Sequence, residues 1–413
     1  MRILEGRAAA AMVRKIAGRS SQLGEVEPAV RKIIDDVRRN GDRALRKFAR
    51  RWDGLGARDS LKIDAAEIRA AWKSAPAELR AALQQAAGNI RRFCEWQKPL
   101  EWKRARGGIS LGQLVRPLQS VGCYVPGGRY PLVSTLLMTV IPAQVAGVKN
   151  IRVVSPQPRP EVLAAAGMLG VEEFYRVGGA QAIAALAYGT ESIARVDKIV
   201  GPGNSFVTAA KKLVSFDCAI DFLAGPTEVL ILSDRGEARF IAADLVAQAE
   251  HDPQALAVFI TTSRRLAKAV LFSVKSAAQE NPIARRSLSA NGAILLAASR
   301  RQAFDWANQI APEHITVERE DVAEIQNAGS VFVGDYSPQA AGDYASGPNH
   351  VLPTGGVARF RGGLSVLDFV KLITVQELSA SGLRRIAAVV EHLAEAEGLR
   401  AHSESIRVRS AHA

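Results

Sequence analysis

Cysteine is scarce: Cys94, Cys123 and Cys218 are the only three in 413 residues. None belongs to a Cys-x-x-Cys pair, and an odd count at wide spacing argues against both a disulfide framework and a thiolate zinc site. The expectation is three buried, inert thiols in a reducing cytoplasm. Long apolar runs are missing as well. No stretch of about 18 uncharged apolar residues occurs, so no helix is expected to span a bilayer. Met1–Lys15 carries Arg2, Arg7, Arg14 and Lys15 without a continuous apolar segment, which is not the pattern of a secretory signal. Zinc-finger spacing, a helix-turn-helix signal and the aromatic motif of RNA-recognition domains are all absent. The net charge of +13 therefore calls for a reading other than nucleic-acid binding. Much of it lies between Arg31 and Arg51, where Asp35, Asp36 and Asp42 are interspersed, as on solvated helix faces. Such a surplus draws in anionic cofactors or metabolites.

What is present is alternation. Glu27–Trp52 and Pro76–Trp96 carry apolar residues at three- and four-residue spacing, which predicts helices, and Gly107–Gly112 marks a turn or hairpin. From Val121 the texture changes to short apolar runs separated by helical stretches. Strands are expected at Val121–Val125, Ile151–Ser155, Phe174–Val177, Lys198–Val200 and Val229–Leu232. Helices are expected at Leu132–Ala146, Glu161–Leu169, Ala180–Ala187 and Ser205–Val214. A second set follows: helices Ala238–Glu250, Arg264–Ala278 and Arg300–Gln309, with strands Ala257–Thr261, Ala293–Leu296, Ile315–Val317 and Val331–Val333. Both sets read as βαβ units with parallel sheets. Val366–Arg409 reads as helical, interrupted by the polar turn Ala396–His402.

Histidine is the other scarce residue, with six in the chain, and four of the six sit in polar or acidic runs. Gln248 and His251 are three apart at a helix end and share a face; an amide oxygen and an imidazole so placed suit a divalent metal, or simply a polar helix C-terminus. Pro312-Glu313-His314 precedes a strand, an acid–imidazole pair fit for general acid–base work or an ordinary loop pair. Asp343 and His350 lie in the Gly-rich stretch Gly342–His350, read as a loop that carries ligands. Glu397–His402 is a helix break followed by a helix. His392 and His412 read as exposed side chains. Gly201-Pro-Gly203-Asn204 follows a strand and opens a helix, a place where backbone N–H groups can face a phosphate. No full Gly-x-Gly-x-x-Gly follows a strand, so the usual dinucleotide fingerprint is missing.

Taken in order, eight runs resemble the histidinol dehydrogenase family: Gly122-Cys-Tyr-Val-Pro-Gly-Gly128, Gly178-Gly-Ala-Gln-Ala182, Gly201-Pro-Gly-Asn204, Ala224-Gly-Pro-Thr-Glu228, Gln248-Ala-Glu-His251, Ala311-Pro-Glu-His314, Gly342-Asp-Tyr through Thr354, and Glu397-Gly-Leu-Arg-Ala-His402. The resemblance implies two Rossmann-like α/β domains with incomplete parallel sheets, plus small helical terminal segments. It implies an N-terminal arm (1–20), a discontinuous first domain (21–120 with 230–365), an NAD-binding second domain (121–229) and a C-terminal segment (366–413) reaching a partner subunit. It implies zinc held by Gln248, His251 and Asp343, with His402 donated across a homodimer. Glu313 and His314 match the family's acid–base pair. Thr227, His350 and Glu397 match positions that hold substrate, together with the metal ligands and His314. Tyr124, Gln181 and Asn204 match NAD contacts. The implied reaction is four-electron oxidation of L-histidinol to L-histidine through the aldehyde, with two NAD reduced. The alternative is another small primary alcohol, such as a sulfonated diol, oxidised on the same zinc and NAD site. The sequence departs at Thr227, where the family carries Ser, and at Ile315 and Pro348; no chemical group is lost, and Thr227 keeps its hydroxyl.

Overall fold

Three sheets organise the described residues. The computed structural model describes residues 1–19, 23–127 and 131–410. The strands Glu228–Leu232, Leu256–Thr261 and Gly292–Leu296 are nearly continuous apolar runs and are buried along almost their full length. That is the composition of parallel strands covered on both faces. They form the middle of a six-stranded parallel sheet in the order Ile3–Glu5, Gly292–Leu296, Leu256–Thr261, Glu228–Leu232, His314–Val317, Ser330–Val333. One face carries the helices Gly6–Ala17 and Arg300–Ile310 through Val13, Leu230, Phe304 and Trp306. The other carries Ala238–Ala249, Arg264–Ala277 and Pro282–Asn291.

A five-stranded parallel sheet has the order Glu173–Tyr175, Asn150–Val154, Ser120–Tyr124, Lys198–Val200, Ala219–Ile220. In both parallel sheets the chain runs outward from a central strand and then returns to that strand's other side. Each sheet thus has a switch point, where neighbouring strands are followed by connections that diverge and leave a crevice. The expected strands and helices of both sets are all present, with ends shifted by a residue or two.

Three elements differ from expectation. Val370–Leu378 is a strand rather than part of a helical segment; it pairs antiparallel with Ile109–Pro117, which also pairs with Trp102–Arg106 across the turn at Gly107 and Gly108. Pairing with residues about 260 positions away decides its conformation, not local pattern. The helices Glu27–Trp52, Ala65–Ser74 and Ala77–Gln97 pack on the helices of the five-stranded sheet, so residues 27–97 sit mainly with 121–229, reaching 230–365 through Val351, Leu364 and the bond from Asn89 to the Ala345 carbonyl. The N-terminal arm supplies the edge strand Ile3–Glu5 and a covering helix to the six-stranded sheet. All three cysteines are buried and free, as expected. Among the described residues no helix is long and apolar enough to cross a membrane.

The helix Val133–Ala146 is apolar on every side and largely buried, and it contains Pro142. Proline has no N–H, so the Met138 carbonyl one turn earlier has no helical donor. The buried Asn349 amide donates to that carbonyl at 2.6 Å. This bond fastens the 347–350 segment, and with it His350, to the five-stranded half of the molecule.

Candidate active site

The chemistry-bearing residues gather where the amino ends of Glu228–Leu232 and His314–Val317 lie side by side. A crossover helix in a parallel sheet runs antiparallel to its strands, so its C-terminus returns to their amino ends. The helix Ala238–Ala249 therefore brings Gln248, and His251 just beyond it, back beside Thr227. The short helix Gln339–Tyr344, which follows the strand Ser330–Val333, carries Asp343 back to His314 in the same way. Asp343 thus sits on helix where a loop was expected. The helix Arg300–Ile310 stops at Ala311, a fully buried residue held at φ +50°, and Pro312 follows. A left-handed alanine costs conformational energy and marks a position fixed by its surroundings. It turns the chain sharply into Glu313.

Glu313 and His314 are both buried. Glu313 Oε2 accepts from the Thr227 hydroxyl at 2.6 Å and from the Glu228 N–H at 2.8 Å. His314 Nδ1 meets the Glu228 carbonyl at 3.0 Å, which makes Nδ1 the protonated nitrogen, and lies 3.6 Å from Glu313 Oε2. His314 Nε2 faces Asp343 Oδ1 at 3.6 Å. Burial pushes the Glu313 carboxyl up to about 7, against the opposing pulls of the His314 charge, the Thr227 hydroxyl and the Glu228 N–H. Burial alone would lower His314, but the Glu313 carboxylate and the hydrogen bond and charge of Asp343 outweigh it and raise the imidazole to about 9. For Asp343, burial works against ionisation; the hydrogen bond and charge of His314, with the charges of His350 and His251, win and hold it below the usual carboxylate range. His350 is lowered by burial; its Nδ1 meets the Asp343 carbonyl at 2.7 Å and its Nε2 lies 3.4 Å from the Thr135 hydroxyl.

One hydroxyl joins the two halves of the site. Thr227 donates to Glu313 and accepts from the buried Gln248 amide nitrogen. With that nitrogen engaged, the Gln248 carbonyl oxygen is the atom left to offer a ligand. A carboxamide oxygen, the exposed His251 imidazole and the ionised Asp343 carboxylate are donors of the kind zinc takes. Among the described residues, no three His, Cys, Asp or Glu side chains cluster closely enough to hold an ion within one chain. The donor set fits zinc in kind and is incomplete in number. Glu397 and His402 do not join it: both are exposed, on the hairpin of helices Ala380–Ala396 and Arg400–Ser410, which pack on each other.

Tyr124, Gln181 and Asn204 lie at the switch point of the five-stranded sheet. The Tyr124 hydroxyl accepts from the Gly179 N–H at 3.0 Å. Gln181 donates to Asp53, which also accepts from the Gly178 N–H. Tyr124 and Gln181 are buried, so these side chains shape the Gly178–Gly179 turn. Asn204 caps the helix Ser205–Val214, accepting from Phe206 and Val207. Gly201, at φ +112°, approaches so near the Tyr124 carbonyl that any side chain would collide with it. His412 lies outside the described residues; His392 is exposed.

Glu228, although it lies in the run Ala224–Glu228, carries no role expected from the sequence, and neither do Arg19, Thr135 and Asp53. Glu228 had a signal, an acid entering an apolar strand. Arg19 had none, because its partner is 209 residues away.

The histidinol dehydrogenase family model matches residues 17–410. A histidinol dehydrogenase of Methanothermobacter thermautotrophicus is 50% identical over 395 residues, covering 91% of this chain and 92% of that protein. One of Methanococcus maripaludis is 45% identical, covering 94% of each. The crystal structure of histidinol dehydrogenase from Elizabethkingia anophelis superposes with a TM-score of 0.93 at 36% identity, covering 99% of this chain and 98% of that one. Matched by the family model over residues 17–410, about half identical to a relative over nine-tenths of its length, and superposing on a solved member over nearly the whole chain, the chain belongs to the histidinol dehydrogenase family.

Proposed function

We infer that this oxidoreductase converts L-histidinol to L-histidine by two successive oxidations at one carbon, the closing steps of histidine biosynthesis. The observation that carries the site assignment is the Glu313–His314 pair, buried side by side with Asp343 3.6 Å from the imidazole.

His314 takes the alcohol proton through Nε2, since Nδ1 is committed to the Glu228 carbonyl. Glu313, raised to about 7, is poised to deprotonate the water that adds to the aldehyde. His314, having passed the first proton to solvent, then takes the hydroxyl proton of the resulting hydrate as a second hydride leaves the carbon, and the acid remains. Two NAD would accept the four electrons, bound in the crevice past the carboxyl ends of Ser120–Tyr124 and Lys198–Val200, with Tyr124, Gln181 and Asn204 shaping its walls. Zinc, held by Gln248, His251 and Asp343 with His402 of a second copy, would supply a Lewis-acid grip on the substrate's amine and imidazole, and would offset the Asp343 part of the charge that, with Glu313, raises His314. Thr227 and His350 border the same space, and Glu397 would arrive with His402.

A homodimer supplies that arm. The C-terminal hairpin exposes Val389, Leu393, Leu399 and Val408, apolar residues suited to burial against a partner. Three free thiols fit a cytoplasmic enzyme.

The test is NADH formed per L-histidinol, with zinc counted by elemental analysis. Two NADH per substrate and one zinc per chain are expected. One NADH per substrate would mean the reaction stops at the aldehyde, and activity on other primary alcohols alone would overturn the substrate.

A further inference from the structure

The catalytic pair is held by main chain, and that main chain is held by an ion pair that the mechanism does not use. Glu228 gives its N–H to Glu313 and its carbonyl to His314. Its side chain is only 4% exposed, and its carboxylate is engaged by other groups. Oε1 accepts from Arg19 Nε at 2.6 Å and from the Gly355 N–H at 2.9 Å. Oε2 accepts from Arg19 Nη2 at 2.5 Å and from the Glu313 N–H at 3.3 Å.

The same guanidinium reaches further. Arg19 Nη1 donates to the Ile16 carbonyl at 2.6 Å and to the Ile310 carbonyl at 3.1 Å. Ile310 ends the helix that turns, through left-handed Ala311 and Pro312, into Glu313. Arg19 therefore grips both approaches to the pair: the strand entrance at Glu228 and the helix exit at Ile310. A second arginine braces the same junction, Arg359 donating to the carbonyls of Ala17 and Gln309.

We propose that Arg19 is a positioning residue for the Glu313–His314 pair, acting through Glu228 and the Ile310 carbonyl. The inference rests on the reading of that pair as the acid–base machinery. A planar fork serves both oxygens of one carboxylate while its remaining nitrogen serves two carbonyls; an ammonium cannot do both. Without the guanidinium, a buried carboxylate behind Glu313 loses its countercharge and keeps only the Gly355 and Glu313 N–H donors, and its main chain shifts to find others. Displacements on the ångström scale, made outside the reacting atoms, cost turnover more than substrate affinity.

Arg19→Met, Arg19→Lys and Arg19→Met with Glu228→Gln are compared in the purified, zinc-loaded enzyme. The readouts are kcat, KM for L-histidinol, zinc content and Tm. Arg264→Ala is the control, since it breaks only the surface pair with Glu5 on the same N-terminal segment. Arg19→Met is expected to lower kcat by about 10²-fold, the size of a small misplacement, with KM and zinc content near wild type. Arg19→Lys should fall between. Adding Glu228→Gln should recover part of kcat, because the stranded charge is gone, a non-additivity that simple loss of arm attachment does not give. Wild-type kcat in Arg19→Met overturns the inference. So does a kcat loss matched by Arg264→Ala, or one that follows the folded fraction alone. His314→Asn is assayed alongside: if it too keeps wild-type turnover, the reading of the pair falls with the inference. If it loses turnover while Arg19→Met does not, the inference falls alone.

Discussion

Replacing Thr227 by valine keeps the shape of the side chain and removes the one hydroxyl that joins Glu313 to Gln248. Glu313 Oε2 has two donors, at 2.6 and 2.8 Å, and the substitution leaves only the Glu228 N–H. A hydrogen bond to a charged group contributes roughly 1.5–3 kcal/mol, which is about 10- to 10²-fold in a rate that depends on the ionised carboxylate. The Thr227 hydroxyl also pulls the Glu313 carboxyl downward against burial, so its loss lets the carboxyl rise above about 7. Two consequences follow for steady-state assays with L-histidinol over a range of pH. In Thr227→Val, kcat/KM should fall by about one to two orders of magnitude, and the acid limb of its pH profile should move to higher pH. Thr227→Ser keeps the hydroxyl and should stay near wild type. A Thr227→Val enzyme with wild-type kcat/KM and an unmoved acid limb would refute the bridging role.

His314→Asn should lower kcat by roughly 10²–10⁴-fold while zinc content holds, the usual loss for a general base; normal turnover by NADH absorbance contradicts it. His251→Asn should deplete the metal, and full occupancy by elemental analysis would remove His251 from the ligand set. Asp244 is half-buried without a partner among the described residues, and burial alone raises its carboxyl to about 6. The folded state then holds a proton the unfolded state has released, so stability falls as pH rises from about 4 to 6 and stays lower above that. Asp244→Asn should accordingly raise Tm at pH 8 and lose that advantage at pH 4; a Tm gain that is the same at both values would sink the argument.

Both parallel sheets were legible because fully covered strands must be continuous apolar runs, as in Glu228–Leu232 and Ala257–Thr261. The convergence of Glu313, His314, Asp343 and Gln248 was legible only through the family's motifs, since no local pattern says which loops meet. Three things were not legible. Val370–Leu378 becomes a strand through a partner far away in the chain, and its exposed residues on both faces leave no clean alternation to read. The packing of residues 27–97 is fixed by surface complementarity between helices, which helical periodicity alone does not assign to one sheet or the other. The bonds that Tyr124 and Gln181 make to Gly179 and Asp53 were not legible either; a sequence shows that a polar group is present, not which neighbour it meets.

The proline in the middle of a buried helix has an effect opposite to its local one. Pro142 leaves a carbonyl begging at Met138, and that defect is the anchorage for Asn349. A repaired helix, Pro142→Ala, would bring a second donor to the Met138 carbonyl in competition with Asn349, so that a sturdier helix would hold the His350 segment less firmly.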